Sequence, residues 1–240
     1  MSADPLRFCD KLLSDQHEHS YYFRDGADYA SALYATICRA SGITSPMEEL
    51  KLEQTDKFTV EEMASNPVSL RFLQFLMRVA GVKRVLEIGA FIGVSAMYFA
   101  KALPPGGEVV TIEKFDHFAA IARRNFAANG LDDRIKLIDG DAFEIIEKLP
   151  KGELFDMIFI DGNKERYKDY FVKTEPLLSP NGIALVDDCF FHGDAVNTEP
   201  TNDKGRGVRA FLDYAATRDD YLRIALPLAN GIMMMVRRAG

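Results

Sequence analysis

Five short aliphatic segments, each followed by a stretch with helical spacing, constrain the fold of this chain more than any other feature. They are Arg84 to Ile88, Val109 to Glu113, Ile135 to Ile138, Met157 to Asp161, and Ile183 to Asp187. Between them lie Ser95 to Leu103, Phe115 to Asn129, Ala142 to Leu149, and Lys164 to Leu178. Near-continuous aliphatic runs suit strands buried on both faces, and strict alternation with helices calls for a parallel sheet covered on both sides. The end of the chain breaks the pattern. Gly207 to Ala216 reads as a helix, and Tyr221 to Leu226 and Gly231 to Val236 read as strands, with only Pro227 to Asn230 between them. A connection that short permits only an antiparallel hairpin. The expected fold class is therefore α/β, with five parallel strands, a C-terminal antiparallel hairpin and helices on both faces.

Upstream, Asn66-Pro67 followed by Leu70, Phe72, Leu73, Phe75, Leu76 and Val79 predicts a helix with proline in its first turn and Gly81 as its stop. Leu6, Leu12 and Leu13 suggest one further helix and Tyr29 to Ala40 another. No repeat, low-complexity segment or linker interrupts the 240 residues, so a single domain is expected over 1–240, with 1–62 as an N-terminal helical cap. His17 and His19 sit in a polar stretch and read as solvated surface, while Tyr21, Tyr22 and Phe23 would cover the core or pack on a partner subunit.

Composition enters mainly by exclusion. A net charge of -7 weighs against broad binding to nucleic acid or to an anionic membrane surface. Cys9, Cys38 and Cys189 are far apart and form no C-x-x-C pair, which argues for a reducing compartment and against a disulfide frame or a structural zinc site. The first twenty residues carry no signal-like apolar core, and no apolar run reaches the roughly 18 to 20 residues of a membrane span. A cytoplasmic protein is expected.

The chemistry gathers where strands end. Val85-Leu86-Glu87-Ile88-Gly89-Ala90-Phe91-Ile92-Gly93-Val94-Ser95 reads as strand, tight turn and helix. Glycines at 89 and 93 allow a sharp turn and close approach of a ligand to the helix N-terminus, as at the nucleotide-type cofactor sites of open α/β sheets. Glu113 ends the second strand, 26 residues after Glu87, where an acid can accept both ribose hydroxyls of an adenosine. Nicotinamide enzymes use the same device. However, G-A-F-I-G is not G-x-G-x-x-G, and Glu87 directly before the turn could meet the cationic end of a methionine-like tail; a buried acid satisfied by backbone amides is its alternative. Gly140-Asp141-Ala142, after the third strand, is placed to border an adenine ring, and Asp141 with Glu144 resembles a capping box.

Asp161 ends the fourth strand and Asp187-Asp188 the fifth. Three carboxylates on one sheet edge suit a hard cation such as Mg²⁺ or Ca²⁺, while acids that merely cap loops are the simpler reading of either pair. Successive strand residues face opposite ways, so Asp187 and Asp188 can share one ion only if the strand has already turned there. Lys164 should open the next helix. Beside a dication its pKa should fall, making it a candidate general base, although position alone equally suits a solvated lysine at a helix start.

Together these motifs resemble the cation-dependent S-adenosylmethionine O-methyltransferases, the family of caffeoyl-CoA and catechol O-methyltransferases. The resemblance runs from about Met63 to the C-terminus through M-A-S, V-L-E-I-G-A-F-I-G-V-S, T-I-E, G-D-A, F-D-M-I-F-I-D-G-N-K-E-R-Y and L-V-D-D. It implies a class I, Rossmann-like methyltransferase sheet. It further implies that Met63, Ser65, Glu87, Gly89, Ser95, Glu113, Ala142, Asp161 and, more weakly, Asn163 contact S-adenosylmethionine. Asp161, Asp187 and Asp188 would hold a divalent cation, Mg²⁺ first, with Ca²⁺ or Mn²⁺ as substitutes. Lys164 would be the catalytic base beside Asp161, the acceptor a small phenolic, and the assembly a homodimer.

Two departures matter. The family's Asp-Asn pair is Asp187-Asp188 here, and the chain has no Trp, with Phe191 and then His192-Gly193-Asp194 where the plant coenzyme A branch carries one. This favours methyl transfer to one hydroxyl of a free catechol. Cys189 to Val208 would be a mobile loop over the acceptor, its Lys204 and Arg206, with Arg209 just beyond, facing an acidic tail. A hydroxylated tRNA base as acceptor, a nicotinamide oxidoreductase and a non-catalytic nucleoside-binding module are the competing readings. The absence of a Y-x-x-x-K pair and the retained carboxylates argue against the last two.

Overall fold

Residues 27–238 are described in a computed structural model, in which the chain falls into two compact units, 1–43 and 44–240. The first contains α1 (Ala27–Ser41), which includes the predicted 29–40 helix. It ends as the Ile43 amide bonds the Cys38 carbonyl around Gly42. The predicted helix near Leu6–Leu13, together with Cys9, His17, His19 and Tyr21–Phe23, lies outside the described residues.

The second unit begins with two one-turn helices, α2 (Pro46–Glu49) and α3 (Val60–Met63). A capping box is made on α3, between Thr59 and Glu62. Helix α4 (Pro67–Ala80) starts and stops as its sequence predicts: Asn66 caps the Val68 amide, Pro67 fills the first turn, and Gly81 closes the end in the left-handed conformation. There follow β1 (Arg84–Ile88), α5 (Val94–Ala102), β2 (Glu108–Glu113), α6 (Asp116–Ala128), β3 (Ile135–Asp139), α7 (Ala142–Lys148) and β4 (Phe155–Ile160). At α7 only the Asp141 half of a cap forms, through the Phe143 amide.

The predicted 164–178 helix is divided. A 3-10 turn at Lys164–Arg166 leads into α8 (Tyr167–Thr174), and a second turn at Glu175–Leu177 ends it, because Pro176 has no N–H to continue the ladder. Strand β5 (Leu178–Val186) begins earlier than expected. Helix α9 (Asp203–Ala216) also begins before Gly207, capped by Asn202, and β6 (Tyr221–Leu226) and β7 (Ile232–Arg237) complete the chain.

The seven strands are ordered β3-β2-β1-β4-β5-β7-β6. The first five are parallel; β7 is antiparallel to both β5 and β6, which leaves β6 at the edge. The class I arrangement expected from the alternation is present. Successive strand residues serve opposite cores, as the two-residue period requires. Val85, Val109, Phe159 and Leu185 pack with α4, α5 and α6, while Leu86, Val110, Ile158 and Val186 pack with α7, α8 and α9. Beyond the strands the ladder runs on by one residue each. Gly89 donates to Ile112, Asp161 to Ile88, Asp187 to Ile160, and Gly140 to Glu113. Those four bonds align the predicted site residues along the carboxyl edge of the sheet. No helix among the described residues is long and apolar enough to cross a membrane.

Candidate active site

Gly89 is the pivot of the site. Its φ of 95° is in the left-handed region, and a Cβ there would run into the main chain of Asp161. The turn therefore needs glycine for its conformation and for the close passage of a neighbouring strand end. Phe91 follows at φ 51°, and Gly93, at φ 89°, abuts the Phe126 ring and caps α5.

Glu87, one strand residue before the turn, is fully buried. Strand register sets Thr111 of β2 beside it, and the Thr111 hydroxyl donates to Glu87 Oε2 at 2.5 Å. The other oxygen, Oε1, has no hydrogen-bond partner. Burial pushes the Glu87 carboxyl up to about 7, opposed by the hydroxyls of Ser95 and Thr111. A buried acid with one vacant acceptor suits a cationic ligand group. The alternative of a strand-end acid satisfied by backbone amides does not hold, for the bond Glu87 accepts comes from a side chain.

Glu113 is different. Its oxygens accept the amides of Phe91 at 2.8 Å and Phe115 at 2.9 Å, which pins the glycine turn to the end of β2. Burial raises its pKa and these amides oppose the shift. Each carboxylate oxygen has a second lone pair, so ribose hydroxyls can still be accepted. Ala142 opens α7 and is buried, Asn163 caps the 3-10 turn through the Glu165 amide at 3.2 Å, and Met63 is 45% exposed at the end of α3. The buried hydroxyl oxygen of Ser65 has no hydrogen-bond partner, a second vacant polar atom that a polar ligand could satisfy.

At the neighbouring strand ends, Lys164 Nζ donates to Asp161 Oδ1 at 2.5 Å and pairs with Asp188 Oδ2 at 2.9 Å. Asp188 has φ 52°, so the chain has left the strand, and its amide bonds Asp187 Oδ1 at 3.0 Å. The strand has thus turned at Asp188, which is what sharing one ion between Asp187 and Asp188 requires. Burial first, then Asp161 and Asp188, push the Asp187 carboxyl up to about 7. Burial works against the Lys164 ammonium, but Asp161 and Asp188 outweigh it and hold its pKa well above the usual lysine range. With only protein groups around it, Lys164 is a counter-ion, the opposite of the lowered pKa expected beside a dication. The three carboxylates carry more negative charge than one ammonium offsets, and their oxygens are hard-cation donors, so a divalent ion suits the site in charge and chemistry. Among the described residues, no three His, Cys, Asp or Glu side chains are gathered as a ready metal cage; Lys164 stands between two of the expected ligands.

Residues 40–239 match the model of a family described as O-methyltransferase. The chain belongs to that O-methyltransferase family. The methyltransferase is 32% identical over 148 residues to catechol O-methyltransferase of Niastella koreensis, covering 61% of this chain and 67% of the relative. It is 28% identical over 228 residues to caffeoyl-CoA O-methyltransferase 1 of Eucalyptus globulus, covering 87% and 89%. Among solved structures, the SAH-bound Podospora anserina methyltransferase PaMTH1 aligns with a TM-score of 0.78 at 26% identity, over 90% of this chain and 98% of that one.

Three residues that organise the candidate site are not among those assigned a role from the sequence. Thr111 is a polar residue inside an aliphatic strand, a signal that could have been read. Asn125 is buried on α6, where its side chain accepts from the Glu53 amide and donates to the carbonyls of Glu53 and Ile92, strapping Glu53 and the glycine turn to one helix. The third, Asp194, organises the segment before α9. There two of the three expected basic residues are engaged locally: Arg206 bonds Asp203 and the Pro200 carbonyl, and Arg209 bonds the carbonyls of Ala195 and Asn197.

Proposed function

We propose that this methyltransferase moves the methyl group of S-adenosylmethionine to one hydroxyl of a vicinal diphenol, with a divalent cation held by Asp161, Asp187 and Asp188, Mg²⁺ first, and Lys164 as the base. The observation that carries the reading is the clasp of Lys164 by Asp161 and Asp188 on the sheet edge that also presents Glu87 and Gly89. Glu87 Oε1 takes the amino group of the methionine tail, Glu113 the ribose, and Ala142, Ser95, Ser65, Met63 and Asn163 complete the cofactor contacts. The sulfonium already carries an activated methyl group, so what the protein must supply is an aligned oxyanion. Asp161, Asp187 and Asp188 would hold the divalent cation, which would supply a lowered pKa for a chelated hydroxyl. With its two carboxylate partners shared with a cation, the buried Lys164 would lose part of what favours its charged form and would accept the hydroxyl proton. Asp161 lies beside both the glycine turn and Lys164, and so links cofactor and base. The related catechol and caffeoyl-CoA enzymes support the phenolic acceptor. The protein works as a cytoplasmic homodimer in this reading, consistent with free Cys38 and Cys189.

The test is transfer from labelled S-adenosylmethionine to a panel of catechols, run with EDTA and after Mg²⁺ is restored. Transfer that stops with EDTA and returns with Mg²⁺ is expected. Transfer undiminished by EDTA removes the cation from the mechanism, and binding of cofactor with no transfer to any catechol removes the diphenol.

A further inference from the structure

Between Asp188 and α9 the backbone is bent against its own preferences. Asp188, Phe191 and His192 all have positive φ, at 52°, 42° and 52°, and Gly193 follows at 86°. Three non-glycine residues in the left-handed region within five positions persist only where the surroundings hold them. On one side that hold is main-chain pairing, from the Cys189 and Phe190 amides to the carbonyls of Gly231 and Asn230. On the other side the run leads into Asp194. Its carboxylate accepts the Thr201 amide at 2.9 and 3.2 Å, the Thr201 hydroxyl at 2.8 Å, and the Asn202 side-chain amide at 2.9 Å. Weaker contacts come from the Asn202 main-chain amide and the Asn197 side chain, each at 3.4 Å.

Asn202 in turn caps α9 by accepting the Gly205 amide at 2.9 Å. A Cβ at Gly205 would strike the Asp194 carboxylate, and one at Gly207 would run into Glu165 Cα and lie 2.6 Å from the Lys164 carbonyl. Glycine is costly inside a helix, so the two mark places where backbone contact is indispensable. The run from Asp188 into α9 thus meets the Lys164–Glu165 stretch twice, through the Asp188 carboxylate on the Lys164 ammonium and through Gly207 on the main chain of Lys164 and Glu165.

We propose that Asp194 is a positioning residue for Lys164: by tying residues 194–202 into one turn it holds both the bent run that delivers Asp188 and the glycine-faced start of α9. The role rests on the reading of Lys164 as base, but its geometry can be tested without an acceptor. Acetylation of lysines by an N-hydroxysuccinimide ester, followed residue by residue by mass spectrometry, reports how firmly Lys164, only 14% exposed, is held. In folded Asp194→Ala, Asp194→Asn and Gly207→Ala proteins, Lys164 should label about fivefold faster or more. Lys114, paired with Asp141 at 3.0 Å at a different strand end, should keep its rate. Adding Asp188→Asn to Asp194→Ala should bring less than the sum of the two effects, since both loosen the same ammonium. With catechol as acceptor, kcat should fall about tenfold or more while the KM for S-adenosylmethionine stays within about twofold. Lys164 labelling at the wild-type rate in all three variants overturns the proposal, as does a general rise that includes Lys114. If Lys164→Ala keeps its turnover, the base assignment fails and the labelling still decides whether Asp194 positions the side chain.

Discussion

At the scale of single residues, the site is a set of buried charges whose cost is left partly uncompensated by the protein. Glu87 illustrates the energetics. Its carboxyl titrates near 4.5 when unfolded and at about 7 when folded, so between those values the folded state holds a proton that the unfolded state has released. The stability this lends is fully present below pH 4.5 and is lost as pH rises to about 7, in total about 3 kcal/mol. Glu87→Gln removes the dependence. Urea denaturation should show wild type gaining about 2.5 kcal/mol relative to Glu87→Gln on going from pH 8 to pH 5; a difference that does not change with pH contradicts the assignment. If Glu87 is the proposed acceptor for the cofactor's amino group, the same variant should bind S-adenosylmethionine about tenfold more weakly or worse, because that buried acceptor is no longer anionic. Glu87, Asp161, Asp187 and Lys164 could be singled out from the sequence because each ends a strand or opens a helix. Asp188 could too, as the second acid of the pair that ends the fifth strand; what could not be read is its pairing with Lys164 across a loop, or the bond from Thr111 to Glu87 across strands.

At the scale of elements, what matters is how closely two main chains pass. The turn after β1 meets the turn after β4 at Gly89, whose φ of 95° and contact with the Asp161 main chain leave no place for a side chain. Gly89→Ala should cost about 2 to 4 kcal/mol in urea denaturation and should also displace Asp161, so that cofactor affinity falls together with stability. A variant of wild-type stability would mean that the turn can relax. Asn125 does comparable work between α6 and the glycine turn. Asn125→Ala strands the Ile92 and Glu53 carbonyls and the Glu53 amide, and a loss of about 1 to 3 kcal/mol is expected from calorimetry. The two-glycine turn and the cap at Asn66 are local signals and were readable. Asn125 and the early start of α9 were not, since an asparagine within a helical pattern announces neither its burial nor the loop it holds.

At the scale of the whole molecule, the proposed homodimer is checked by light scattering, which should return twice the mass of the 240-residue chain at micromolar concentration; a monomer that turns over at full rate contradicts it. The sequence by itself determined the parallel sheet, the terminal hairpin and the edge on which the chemistry gathers. Those features follow from periodicity and connection length, which are properties of neighbouring residues. Only the tertiary structure decided that β7 inserts between β5 and β6, that the chain turns at Asp188, and that Lys164 is clasped by two carboxylates. Each of these depends on groups brought together across loops and strands, where the outcome is set by packing and by charge compensation among residues distant in sequence.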